Sequence, residues 1–201
     1  IDIPDVISDN VTLSTMHGCP PEEIEKIGKY LISEKKLHTF IKLNPTLLGA
    51  EELRNILNKL HHFKTIVPDQ AFEHDLKFEN AVSIIKSLRE TAKDNNVFFG
   101  IKLTNTLESQ NHRHIFNADE KMMYMSGRAL HPLSVNLAKK LQNEFQGQLH
   151  ISFSGGTDCF NIEKLLECGL FPITVCSDLL KPGGYGRLHQ YVKNISSEGY
   201  N

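Results

Sequence analysis

Residues 149–178 read Leu-His-Ile-Ser-Phe-Ser-Gly-Gly-Thr-Asp-Cys-Phe-Asn-Ile-Glu-Lys-Leu-Leu-Glu-Cys-Gly-Leu-Phe-Pro-Ile-Thr-Val-Cys-Ser-Asp. This stretch spells one strand–turn–helix–strand unit. Leu149–Phe153 is a short apolar run of strand length, and Ser154-Gly155-Gly156 breaks it. Apolar residues then fall at helical spacing over Asn161–Cys168, and Pro172–Cys176 is a second apolar run.

Working outward, the same unit recurs. Val11–Ser14 predicts a first strand, and Pro20-Pro21-Glu22-Glu23 starts a helix reaching about Glu34. Thr39–Leu43 predicts a second strand with a helix over Ala50–Leu60. Lys64–Val67 predicts a third, with a helix over Asn80–Asp94. Phe98–Leu103 predicts a fourth, then a long loop over Glu108–Ser126 and a helix over Pro132–Phe145. A final helix is expected over Tyr185–Ile195.

Six strand–helix units in order predict an α/β protein with a parallel sheet. The strands are nearly all apolar, as when both faces are covered. Polar residues at several strand ends favour a (β/α)8 barrel over an open doubly wound sheet. No G-x-G-x-x-G follows the first strand, as a dinucleotide fold requires. Six units are two short of eight, and the chain opens on Ile1. Residues 1–201 are therefore expected to be a single partial barrel domain from a larger multidomain protein.

Bulk composition narrows the partners. Of 201 residues, 40% are hydrophobic and 23% charged, which is ordinary for a globular domain. A net charge of −2 argues against nucleic acid and anionic membranes. No apolar run approaches the roughly 20 residues that span a bilayer. Cys19, Cys159, Cys168 and Cys176 form no C-x-x-C pair, so a reduced, cytoplasmic protein without its own cluster or zinc is expected.

Several strand ends carry candidate chemistry. Gly155 and Gly156, with Cys176 and Ser177 after the next strand, can cradle a phosphate as late barrel loops do, or can simply form a turn. Asp178 is an unhelpful charge there and should point away. In Met16-His17-Gly18-Cys19-Pro20, a cysteine before a helix start can have a lowered pKa and act as proton donor or nucleophile, or be an apolar filler. His17 is its candidate partner. Lys42 and Lys102 sit inside apolar strands, where an amine needs a ligand or counter-charge unless it reaches solvent. Asn44 follows Lys42 on the same strand parity. Asn105-Thr106 can orient a polar ligand or cap a turn. His61-His62 and His112-Arg113-His114 lack partner ligands at metal spacing and read as solvated loop.

Taken together, the motifs are M-H-G-C-P at 16–20, F-I-K-L-N-P at 40–45, L-T-N-T at 103–106, M-S-G-R-A-L-H-P-L at 125–133, F-S-G-G at 153–156 and V-C-S-D at 175–178. This series resembles the FMN-binding barrel of dihydropyrimidine and dihydroorotate dehydrogenases. It is more similar still to the barrel of bacterial proteins labelled selenate reductases, large flavin and iron–sulfur proteins. The resemblance implies that Cys19 is the active-site acid or base and that Lys42 lies at the flavin ring's N1/O2 edge. It implies that Asn105 and Thr106 contact flavin and substrate; His17 and Asn44 are further candidates for substrate contact. Gly127 would lie near the flavin, and Gly155, Gly156, Cys176 and Ser177 would hold its phosphate. Where the pyrimidine enzymes have an asparagine three residues before the cysteine, this chain has Met16, which argues against a pyrimidine substrate. An extra unit over 61–97 lets Asp69 compete with Asn105 for the ligand-contacting position.

The resemblance thus implies an FMN-dependent oxidoreductase acting on a small molecule. Electrons would come from FAD and iron–sulfur domains or subunits. FMN is expected in the intact parent, and the isolated segment can be empty. The alternatives are a lyase or aldolase using Lys42 or Lys102 as a Schiff-base nucleophile, and a degenerate barrel kept for assembly.

Overall fold

The computed structural model describes residues 3–15 and 18–197. Four parallel strands form the main sheet in spatial order β1 (Asn10–Ser14), β2 (His38–Leu43), β3 (Phe99–Leu103) and β6 (Ile151–Phe153). A parallel bridge from Phe153 to Ile173 adds the start of the last predicted strand. Helices α1 (Pro21–Ser33), α4 (Phe78–Asp94), α5 (His131–Glu144), α6 (Ile162–Glu167) and α7 (Leu188–Ser197) alternate with these strands. The two short helices α2 (Ala50–Arg54) and α3 (Asp69–His74) fill the interval before α4. This is the alternating α/β parallel order that the sequence predicts. No described helix is long and apolar enough to cross a membrane.

Strand parity sorts the two faces. Ile41, Leu43, Ile101, Leu103, Ile151 and Phe153 are buried under the helices with Ile85, Leu88, Leu133 and Leu137. α1 begins with proline and the acids Glu22 and Glu23, which suit the unpaired N–H groups of its first turn. It packs closely on α4, because a Cβ on Gly28 would stand only 2.7 Å from Leu88 Cδ1.

Two sequence expectations are corrected. Lys64–Val67 is not a sheet strand. His62 and Lys64 adopt positive φ, Thr65 is tied to Asn58, and the Ile66 carbonyl accepts from the Gln110 N–H at 2.8 Å. With the backbone turned at the start of so short a run and its polar groups engaged by Asn58 and Gln110, it does not enter the parallel ladder. The region 108–126 is not plain loop either. Leu107–Gln110 (β4) and Met122–Met125 (β5) pair antiparallel as a hairpin, with Leu107 and Ser109 buried on one face. The intervening loop wraps on Asn111, whose amide donates to the Phe116 and Glu120 carbonyls and accepts from the Ile115 N–H.

Candidate functional site

Register builds the floor of the site. Ser14 pairs with Lys42, Lys42 with Lys102, and Lys102 with Ser152, so four side chains cross the sheet in one row. This row lies on the face opposite the helices. Lys102 Nζ donates to Ser152 Oγ at 3.4 Å, and Ser152 Oγ donates to the Pro172 carbonyl at 2.8 Å. Burial, and then the neighbouring Lys42 charge, pull the Lys102 amine below its ordinary pKa. Among the described residues no carboxylate pairs with either amine.

Both lysines open into a cleft of about 670 Å³. Its far wall comes from Ser126–Ala129, Ser154, Gly156, Thr157 and residues 174–178, with Lys181 at the rim. The four-residue 3-10 turn Gly127–Leu130 before α5 and the turn after β6 touch there. Gly127 and Gly156 both have positive φ, and a Cβ on Gly156 would stand 2.6 Å from the Gly127 carbonyl oxygen. A Cβ on Gly127 would meet Ser177 Cβ at 3.2 Å. Only glycine fits both positions, and together they leave main chain facing the cleft. Cys176 and Ser177 line the same wall, with Cys176 exposed.

Gly155 is placed differently. It faces away from the cleft, where a Cβ would overlap Ser134 Oγ at 2.1 Å. Ser134 is fully buried and shares a hydrogen bond with Thr104 at 2.9 Å. His131 Nδ1 lies 3.0 Å from the Gly155 carbonyl. Gly155 thus lets α5 approach the strand end.

The strand-end amides are also committed internally. Asn105 donates to Thr15 O at 3.0 Å and to Asn44 Oδ1 at 2.7 Å, and accepts from Ser14 Oγ at 3.0 Å. Asn44 and Asn105 are buried, and neither lines the cleft. Thr106 is half-buried at the start of the hairpin, outside the cleft lining. Asp69 is an exposed residue at the start of α3, paired with Arg54 at 2.5 Å. Of the two competing positions, only Asn105 lies at a strand end.

Cys19 precedes the Pro20 cap of α1, half-buried against the core and outside the cleft lining. Its sulfur lies 4.0 Å from Glu23 Oε2. Burial, then Glu23 and Glu22, push the thiol up, which reverses the sequence expectation of a lowered pKa. The acids that suit the helix start oppose a thiolate beside it. His17 and Met16 lie outside the described residues.

Asp178, expected from the sequence to point away from the phosphate end, lines the cleft instead, and Arg128, Thr157 and Lys181 beside it were not among the candidates. Asp178 is buried and accepts from Arg187 at 3.1 Å, Lys181 at 3.0 Å and Tyr191 at 2.8 Å. Burial alone would raise its carboxyl, but the Arg187, Lys181 and Tyr191 hydrogen bonds outweigh it and hold the pKa at about 2. Its charge is therefore absorbed. Arg128 reaches buried Asp158 at 2.6 Å and lies 3.8 Å from Asp178. The signals were present as an arginine inside S-G-R-A-L and a threonine after the glycine pair. Among the described residues no three His, Cys, Asp or Glu side chains gather as a metal site.

Comparison with known proteins fits this architecture. A family profile described as "Oxidoreductase YgfK, N-terminal TIM-barrel domain" matches residues 1–201. The chain is 47% identical over 193 residues to YgfK of Escherichia coli K12 and to that of E. coli O157:H7. The match covers 96% of this chain and 18% of theirs, so the chain spans under a fifth of those relatives. In fold it is similar to ligand-free DHODH from Eimeria tenella, with TM-score 0.60 and 16% identity over 96% of this chain and 52% of that one. The ferulenol complex of the same enzyme gives TM-score 0.57 and 14% identity, over 94% and 50% of the two chains. With a TIM-barrel fold and a profile match along its whole length, the chain belongs to the family of the N-terminal TIM-barrel domain of oxidoreductase YgfK.

Proposed function

We propose that this domain binds FMN in the cleft and works as the flavin barrel of a longer oxidoreductase. One observation carries the reading: Lys42 and Lys102 stand side by side on the floor with no carboxylate partner among the described residues. Two adjacent ammonium groups in a half-buried site call for an anionic or electron-rich ligand. The opposite wall supplies what the other end of such a ligand needs, main chain bared by Gly127 and Gly156 and the Ser177 hydroxyl.

FMN would supply hydride and single-electron chemistry when bound. The chain's own groups bind and orient. Lys42 and Lys102 would offset negative charge at the ring end, Ser152 holds the Lys102 amine in place, and Gly127, Gly156, Cys176 and Ser177 would receive the phosphate. Cys19, with its raised pKa, holds its proton at neutral pH, as a donor to substrate must. In this reading, FAD and iron–sulfur domains of the same cytoplasmic polypeptide exchange electrons with the barrel. The acceptor is a small molecule, an oxyanion such as selenate among the candidates.

The test is the visible spectrum of the full-length protein. Flavin absorption bands, with FMN released on acid treatment, support the reading. A colourless protein that takes up no FMN contradicts it. The lowered Lys102 pKa favours a second reading, Schiff-base chemistry on a carbonyl substrate. Borohydride in the presence of small aldehydes and ketones would then add mass at Lys102. An unmodified Lys102 removes that reading.

A further inference from the structure

We infer that Lys102 is a carbamylation site, where dissolved carbon dioxide adds to the ε-amine and Lys42 holds the carbamate that forms. The inference concerns the flavin-free protein and does not rest on the flavin reading.

Three features of the lysine row converge. Lys42 and Lys102 are register partners, both half-buried, and among the described residues no carboxylate pairs with either. The other charged side chains lining the cleft are Arg128, Lys181 and Asp178, and Asp178 is already held by Lys181, Arg187 and Tyr191. An anion made at Lys102 therefore stands beside a cation whose charge no protein carboxylate takes up. The second feature is Ser152. Its hydroxyl hydrogen goes to the Pro172 carbonyl, so toward Lys102, 3.4 Å away, it can only accept. One N–H satisfies it, and a carbamate nitrogen keeps one N–H. Third, the amine opens into a cleft of about 670 Å³, which admits a three-atom molecule and leaves room for the product.

The step needs no reagent besides carbon dioxide and water. The ammonium gives one proton to water, and the nitrogen lone pair attacks the carbon of CO2. A C–N bond forms, one C–O π bond opens onto oxygen, and the nitrogen gives up a second proton. The row changes from two neighbouring cations to one ion pair. Burial, and then the Lys42 charge, favour the neutral amine at Lys102, which is the reacting form. The Lys42 ammonium then holds the carbamate oxygens by charge-assisted contact and opposes the reverse reaction.

The experiment uses the full-length protein stripped of flavin, with 13C-labelled bicarbonate as the source of carbon dioxide at fixed pH and ionic strength. An alkylating trap followed by peptide mass mapping locates the adduct, and 13C NMR measures its occupancy. The wild type is expected to give a trapped adduct on the Lys102 peptide and an occupancy that rises with carbon dioxide. Its urea midpoint should be higher in bicarbonate than in chloride. Lys102→Arg keeps a cation without a nucleophilic amine, and is expected to lose the adduct and the bicarbonate-dependent midpoint shift. Lys42→Met is expected to weaken the apparent affinity for carbon dioxide about tenfold, the value of one charge-assisted contact. No adduct on Lys102 of the wild type, or equal occupancy in Lys42→Met, overturns the inference. Flavin uptake is read separately from the visible spectrum, so a failed carbamate leaves the flavin reading standing and a failed flavin leaves the carbamate standing.

Discussion

Lys42 and Lys102 are register partners on adjacent parallel strands, so their amines share one row of the sheet and one cleft. Among the described residues neither has a carboxylate partner, and Lys102 is held by the Ser152 hydroxyl. Two like charges placed together in this way raise the energy of the ligand-free protein.

That cost is measurable. The Lys102 amine titrates below its ordinary value of 10.5 because of burial and the Lys42 charge. Between the lowered folded pKa and 10.5 the unfolded chain binds more protons than the folded one. The penalty is therefore complete below the folded pKa, and stability rises as pH climbs through that window. Lys102→Met is expected to raise ligand-free stability at neutral pH by about 1 kcal/mol and flatten this alkaline rise. Urea melts across pH 7 to 10.5 check it.

Gly155 answers to packing. Gly155→Ala is expected to destabilise the protein by about 1–3 kcal/mol through overlap with Ser134. Ser134→Gly removes the overlapping atoms, so the double variant should recover part of that loss. A double variant no more stable than Gly155→Ala would contradict the contact. Thermal melts of the four proteins in the cycle measure it.

Asp178 ties the strand-end loop to α7 through Tyr191 and to the turn just before α7 through Arg187. Its pKa of about 2 lies below the ordinary 3.8. The stability it confers is fully present above 3.8 and is lost as pH falls through about 2. Asp178→Asn is expected to cost about 1–3 kcal/mol at neutral pH, since it removes the charge of a buried carboxylate that accepts from Arg187, Lys181 and Tyr191. It should also remove stability loss within that acid window, as read by near-UV circular dichroism.

Cys19 should react slowly. Its thiol is half-buried and pushed up by burial, Glu23 and Glu22, while Cys176 is exposed. Iodoacetamide at neutral pH is expected to label Cys176 about tenfold faster, because the thiolate is the reacting form. Peptide mass mapping over time reads both sites.

The barrel units were legible because nearly apolar strands and helices beginning with proline and acids leave strong local patterns. Lys64–Val67 misled for a physical reason: the three β-branched residues Thr65, Ile66 and Val67 look alike whether they pair in the sheet or lie across Asn58 and Gln110. The hairpin was hidden because Met122–Met125 carries no turn signature of its own. In the site, Lys42 and Lys102 stood out as lysines inside apolar strands and Gly156 as half of a glycine pair, while the shared row comes from the sheet register and Asn44, on the same parity as Lys42, does not line the cleft. Which glycine faces the cleft and which faces Ser134 depends on where α5 packs, and spacing alone does not carry that. Asn105 shows the same limit, since its donors go to Thr15 and Asn44, residues far away in the chain. Arg128, Thr157 and Lys181 gather only once the turns on either side of the cleft meet.

Equilibrium FMN binding to the full-length protein and to its Lys42→Met/Lys102→Met variant tests the central claim most directly. The account predicts one FMN per wild-type chain and an affinity loss of about a hundredfold in the folded double variant, the scale of two charge-assisted contacts. Wild-type protein that takes up no FMN, or a double variant that binds it equally well, would contradict the account.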